Sequence, residues 1–288
     1  MSAASLLKDV QDKNNSMICV GLDLDRKRMP KNYTGNIKAM YDFAMRIIES
    51  THDVVCAYKP NMAFFMELGA DGLSLLEKIT KRIPDDVRVI IDAKLGDIGN
   101  TASHYASAMF ERFHADWVTL NPYMGYDSIR PFLDYREKGA FILCLTSNTG
   151  SRDFQFMHVV NKPVYIYVAE KVAYWDKEQN LGLVAGATHP KDLAEIRATA
   201  GDCPLLIPGV GAQGGDLEQA VRAGTDNFKK LALINVSRSV LYASAEENFD
   251  QAARDEVIRL NDAVDKFRAA DKEDQPDQPG PSSPPPQQ

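Results

Sequence analysis

The sequence predicts a (β/α)8 TIM barrel, on three observations. Eight short apolar runs alternate with seven or eight segments of helical period, the pattern of parallel βα units. The 288 residues suit one such barrel, a fold that typically takes about 250. The polar residues collect where the runs end, at the rim where barrels of this kind carry their chemistry. An open, doubly wound sheet is the alternative that the same alternation permits.

The first run is Met17–Asp25, ending in acids, and a helix follows over Ile37–Ser50 with Met40, Phe43, Ala44 and Ile47 on one stripe. Val54–Asn61 is the second run, and Phe64–Ile83 reads as one helix stopped by Pro84. The third begins at Val87 and continues through Ile91 into a charged stretch; a helix over Thr101–Phe113 follows, predicted to bury Tyr105, Met109 and Phe113. Asp116–Tyr123 and Phe141–Thr146 are the fourth and fifth runs, with a short helix over Ser128–Arg136 between them. A long connection with aromatic residues leads to a helix over Val164–Trp175. Leu181–Thr188 is the sixth run, and the helix after it starts at His189-Pro190, where proline is acceptable in a first turn. Pro204–Val210 is the seventh, followed by the glycines of 211–215 and a helix to about Ala223. Leu231–Val236 is the eighth, closing on Ser237-Arg238-Ser239. Ser244 and Glu247 have capping-box spacing before a last helix that buries Phe249, Ala253, Val257, Leu260, Val264 and Phe267. Residues 1–270 thus form one barrel domain. Residues 271–288, with six prolines and no large apolar side chain, are expected to be a disordered tail.

Composition narrows the function. A net charge of −7 argues against a general nucleic-acid binder, without excluding a small anion held by local cations. No apolar run is long enough for a membrane span, and the N-terminus lacks the pattern of a signal peptide. The four cysteines stand singly in apolar runs, as buried side chains of a reducing cytoplasm would. Neither they nor the five histidines have the spacing of a metal site.

The stretch Val87–Thr101 carries the sharpest signal. A buried strand ends in Asp92, Lys94 and Asp97, and alternation puts Asp92 and Lys94 on one side. A structural ion pair is the plainer reading of an isolated pair. Yet Asp23, Lys59, Asn121, Ser147, Gln213 and Arg238 fall at other run ends, on the same predicted rim. Each alone has a turn or capping explanation. Gly209-Val-Gly-Ala-Gln-Gly214 matches the dinucleotide fingerprint, but in the seventh unit and with no acid about 20 residues on at a strand end. A phosphate site at a helix N-terminus is the physical content that remains, with Arg238 as a forked donor.

Together, Asp92-x-Lys94-x-x-Asp97-Ile98-x-x-Thr101, the stretch Pro208–Gly215 and Ser237-Arg238-Ser239 resemble the orotidine 5′-phosphate decarboxylase family. Residues 121–126 and 145–148 resemble its longer bacterial branch. The resemblance implies a metal-free carboxy-lyase, needing no organic cofactor, that converts orotidine 5′-phosphate to UMP and CO2 in pyrimidine biosynthesis. It implies that Lys94 protonates C6, that Asp92 lies beside the departing carboxylate, and that Lys59 holds Asp92 and a ribose hydroxyl. It assigns Asp23 to the ribose, Ser147 to the pyrimidine edge, and Gln213 and Arg238 to the phosphate. It also implies a homodimer with shared sites, in which Asp97, with Thr101 beside it, reaches into the partner's pocket. Two other readings stand beside it: a magnesium-dependent sugar-phosphate decarboxylase of a related barrel family, and a non-catalytic phosphometabolite sensor.

Overall fold

The computed structural model describes residues 1–211 and 214–273, with side chains to residue 269. Eight parallel strands close into a barrel: β1 (Ile18–Gly21), β2 (Ala57–Lys59), β3 (Arg88–Leu95), β4 (Trp117–Leu120), β5 (Gly139–Leu145), β6 (Leu181–Ala185), β7 (Leu205–Pro208) and β8 (Ala232–Val236). Each strand pairs with its sequence neighbour, and β1 pairs with β8 in the register Ile18↔Ile234 and Val20↔Val236. Each expected run supplied one strand, because β-branched and aliphatic runs bounded by turn residues can bury both faces. The barrel is therefore closed, and the open sheet is excluded.

The interior is filled, not hollow. Trp117 on β4 and Phe141 on β5 stack with ring centroids 4.5 Å apart. Each ring needs a glycine on the next strand: a Cβ at Gly139 would stand 2.3 Å from the Trp117 ring, and one at Gly182 would stand 2.7 Å from Phe141. Cys19, Cys56, Ile90, Leu206 and Leu233 complete this layer. All four cysteines are free and buried.

The first helix, α1 (Ala3–Lys13), went unpredicted. It closes the N-terminal mouth, setting Ala3, Leu7 and Val10 against the interior layer. Gln11 secures it, donating to the Ala232 carbonyl at 2.9 Å and accepting from Leu231 N–H at 3.1 Å.

The outer helices follow the expected order with local corrections. Helix α2 spans Ile37–Thr51. The single helix expected over Phe64–Ile83 is two, α3 (Met62–Met66) and α4 (Gly69–Thr80), because the chain turns at Gly69 with φ +66°. Helix α5 (Gly99–Ser107) passes into a π-helical turn over Ala108–Arg112. Tyr105 is 38% exposed, against expectation: the buried stripe runs through Ala102, Ala106, Met109 and Phe113, and Tyr105 lies at its edge. Then come α6 (Tyr126–Leu133), α7 (Val164–Trp175), α8 (Pro190–Ala200), α9 (Leu217–Gly224) and the single turn α10 (Arg238–Leu241). The last helix, α11 (Phe249–Glu273), starts too late for the Ser244 capping box. Ser244 Oγ accepts from Glu246 N–H instead, in the turn before it. Helix α11 buries the predicted stripe from Phe249 to Val264, with Phe267 half-buried, and runs three residues past the expected boundary at 270. The rest of the expected tail lies outside the described residues. Among the described residues no helix is long and apolar enough to cross a membrane.

Candidate active site

At the C-terminal mouth, all eight strands or the residues just after them line one cleft of about 410 Å3. Asp23, Lys59, Asp92, Lys94 and Ser147, five of the predicted site residues, meet there. Its apolar wall includes Leu143, Val184, Leu206 and Pro208. Val184 and Leu206 also pack in the interior layer, so the barrel core forms the floor of the cleft.

The centre is a row of three charges. Asp92 Oδ2 accepts from Lys59 Nζ at 3.0 Å, and Asp92 Oδ1 accepts from Lys94 Nζ at 2.6 Å. Thr119 Oγ1 adds a third donor to Oδ1 at 2.9 Å. The Lys59 and Asp92 side chains are 6% and 11% exposed, while Lys94 is 47% exposed and open to the cleft. Burial alone would push the Asp92 carboxyl up. The Lys59 and Lys94 charges, and the hydrogen bonds both lysines donate, overcome it and hold the group well below the usual carboxylate range. Burial likewise disfavours the Lys59 ammonium, yet Asp92, then Asp23, raise its pKa above the ordinary value. Lys59 and Asp92 are therefore an ionised pair at neutral pH. That pair is buried, and removing one partner of a buried pair typically costs about 3–5 kcal/mol.

Alternation put Asp92 and Lys94 on one side, but the local backbone is not a regular strand. The β3–β4 register shifts between Ile91 and Leu95, and Lys94 has φ +50°. On β1's side, the Asp23 carbonyl accepts from Tyr242 Oη at 2.7 Å, while buried Asp23 Oδ1 has no hydrogen-bond partner among the described residues. On β5's side, Gln155 from the long connection accepts from Thr146 N–H at 2.8 Å and donates to Thr146 Oγ1 at 2.8 Å, bracing the loop that presents Ser147. That connection holds a 3-10 turn over Thr149–Asp153 and a small antiparallel hairpin pairing His158–Val159 with Lys162–Pro163.

A family model described as Orotidine 5'-phosphate decarboxylase / HUMPS family matches residues 16–254. This chain belongs to that family. An orotidine 5'-phosphate decarboxylase of Ralstonia pickettii (strain 12J) is 47% identical over 258 residues, 89% of this chain and 95% of that protein. The structure of Leishmania donovani OMP decarboxylase superposes with a TM-score of 0.78 at 37% identity, covering 91% of this chain and 99% of that one. That of Leishmania donovani UMP synthase gives a TM-score of 0.85 at 38% identity and covers 94% of this chain. This chain spans only 57% of that synthase's length.

Asp97, Thr101, Asn121 and Arg238, further predicted residues of this orotidine 5′-phosphate decarboxylase family member, stand apart from the cleft lining. Asp97 accepts from the Ile98 N–H at 2.8 Å, and Thr101 is exposed on α5. Arg238 is exposed at the start of α10, and Gln213 lies outside the described residues. Asn121 serves a turn, accepting from Tyr123 N–H at 3.0 Å. The described part of the glycine loop is bonded within itself. Gly211, Gly214 and Gly215 N–H groups donate to carbonyls within the loop, and Asp216 caps α9 by accepting from Gln219 N–H. Those three N–H groups, and the Gln219 N–H in the first turn of α9, are therefore already satisfied. Sequence reading missed Thr119, Asn61 and Asn235 as cleft residues, since a polar residue in a short apolar run carries no local signal of what lies across the barrel. Among the described residues no three His, Cys, Asp or Glu side chains cluster as a metal ion would need. Two ammonium groups flank Asp92 instead.

Proposed function

We propose that this chain decarboxylates orotidine 5′-phosphate to UMP and CO2, with Lys94 as the proton donor. The observation that carries the reading is the Lys59–Asp92–Lys94 row at the mouth of the barrel. Breaking the bond from C6 to the carboxylate leaves the electron pair on C6, with no adjacent carbonyl to spread it. The barrier is large, and transition-state stabilisation of roughly 20 kcal/mol or more is required. An ammonium already fixed in place stabilises that charge without reorganisation, then transfers its proton to C6. Solvent returns the proton to Lys94, which is open to the cleft. Asp92 holds the ammonium there and stands beside the departing carboxylate; Lys59 keeps Asp92 ionised and reaches a ribose hydroxyl.

The other assignments follow the same reading. A ribose hydroxyl suits Asp23, whose buried Oδ1 needs a donor. Ser147 takes the pyrimidine edge, and Gln213 and Arg238 the phosphate. Asp97 and Thr101, outside their own cleft, serve the partner's site in a homodimer. Residues 1–270 act as one catalytic domain, and four free, buried cysteines suit a reducing cytoplasm. The test is a spectrophotometric assay with orotidine 5′-phosphate, with and without a chelator. Turnover indifferent to the chelator is expected. No turnover would overturn the proposal, and loss on chelation would favour the magnesium-dependent reading.

A further inference from the structure

We infer that Thr119 is a positioning residue for this reaction, its hydroxyl setting the geometry of both Asp92 and Lys94. The inference rests on the decarboxylase reading above and starts from the strand register. Strands β3 and β4 pair as Ile91↔Val118 and resume as Leu95↔Leu120. Three residues of β3, Asp92, Ala93 and Lys94, therefore stand opposite one residue of β4, Thr119. Extra residues in one strand leave ladder N–H groups unpaired and re-aim side chains. Here the unpaired donors are found by a side chain. Thr119 Oγ1 accepts from Ala93 N–H at 3.0 Å and from Lys94 N–H at 2.9 Å.

The same oxygen donates to Asp92 Oδ1 at 2.9 Å. A hydroxyl has one proton and two lone pairs, and all three are used on one three-residue segment. Lys94 thus meets Thr119 twice: its own N–H donates to the hydroxyl, and its Nζ shares Asp92 Oδ1 with that hydroxyl. Few other constraints hold it. Its side chain is half exposed, and φ +50° is uncommon for a residue with a Cβ. Thr119 itself is 1% exposed, and its branched side chain is stiff at χ1. It is the buried pin on which an exposed proton donor turns. A residue that merely filled the bulge would need to satisfy the two N–H groups; the third bond, to the carboxylate that orients Lys94, is what couples it to proton transfer.

Thr119→Val keeps the shape and removes all three bonds, whereas Thr119→Ser keeps the hydroxyl. For Thr119→Val, kcat should fall at least a hundredfold, with KM and the dissociation constant for UMP within threefold of wild type. Thr119→Ser should stay within threefold on all three. A Thr119→Val enzyme that keeps kcat within tenfold, or that loses kcat and UMP binding together, overturns the inference. If Thr119→Val does not fold, Thr119→Ser decides it: a loss of turnover beyond tenfold with the hydroxyl present overturns it, and retention supports it. Wild type in the same assay separates the two levels, since its failure to turn over orotidine 5′-phosphate defeats the activity itself.

Discussion

The two mouths of the barrel make opposite use of polar groups. At the N-terminal mouth, α1 lays Ala3, Leu7 and Val10 on the interior layer, and its buried Gln11 has both ends of its amide bonded to β8 and the residue before it. At the C-terminal mouth, two lysines flank one carboxylate, Lys94 sits at positive φ, and Asp23 Oδ1 is buried without a partner among the described residues. One end is satisfied and closed, the other strained and open to a ligand. Stability and chemistry are thereby placed where a change in one need not disturb the other.

The sharpest test of that division is at Lys94. Lys94→Ala should lower turnover by at least about a thousandfold, the upper part of the range for a positioned acid. UMP binding, measured by calorimetry, should remain, and so should the melting temperature. Turnover within tenfold of wild type would remove Lys94 from the acid role.

The reach of the open mouth into a second subunit is tested by exchange. Lys94→Ala and Asp97→Ala are each expected to be dead. In a mixed dimer with shared sites, one pocket carries both lesions and the other none, so activity should return to about half per heterodimer, since separate sites act independently. If Asp97 served its own pocket, every site would keep a lesion, and the mixture would stay inactive even with exchange verified by mass spectrometry.

The closed mouth should answer in stability alone. Leu7 is fully buried against the interior layer. Leu7→Ala should cost about 2–5 kcal/mol in urea unfolding, as such cavities do. Its kcat and KM per folded molecule should be unchanged, and a marked change in either would show that the two mouths are coupled.

The smallest effect is on acid stability. The Asp92 carboxyl is depressed in the folded chain, so its contribution is present above the unfolded value of about 3.9 and is lost as pH falls through the lower folded value. The stability difference between wild type and Asp92→Asn should be flat from about pH 5 to 8 and shrink below about pH 4. A difference that stays constant into acid would mean that the row does not hold Asp92 ionised.

Much of this was readable from the chain. Eight strands followed from aliphatic runs between turn residues, and the charged stretch after Ile91 marked the site, because both are local patterns. Helix α1 left a fainter trace. Ala3, Leu7 and Val10 have helical spacing behind an N-capping Ser2, but its polar composition hid a helix whose buried face exists only against the barrel floor. Tyr105 failed because it lies one residue from the buried face, and the Ser244 box because α11 starts about a turn later, at Phe249.

The sequence by itself determined the barrel, its order and the pairing of Asp92 with Lys94. The tertiary structure decided how that pair is held. Thr119 lies 27 residues from Asp92 in sequence and reads there as an ordinary strand former. Only when β4 docks beside β3 does its hydroxyl meet a bulge that alternation does not predict. Periodicity follows from the backbone of one segment, whereas register between two strands is set by the packing of everything around them.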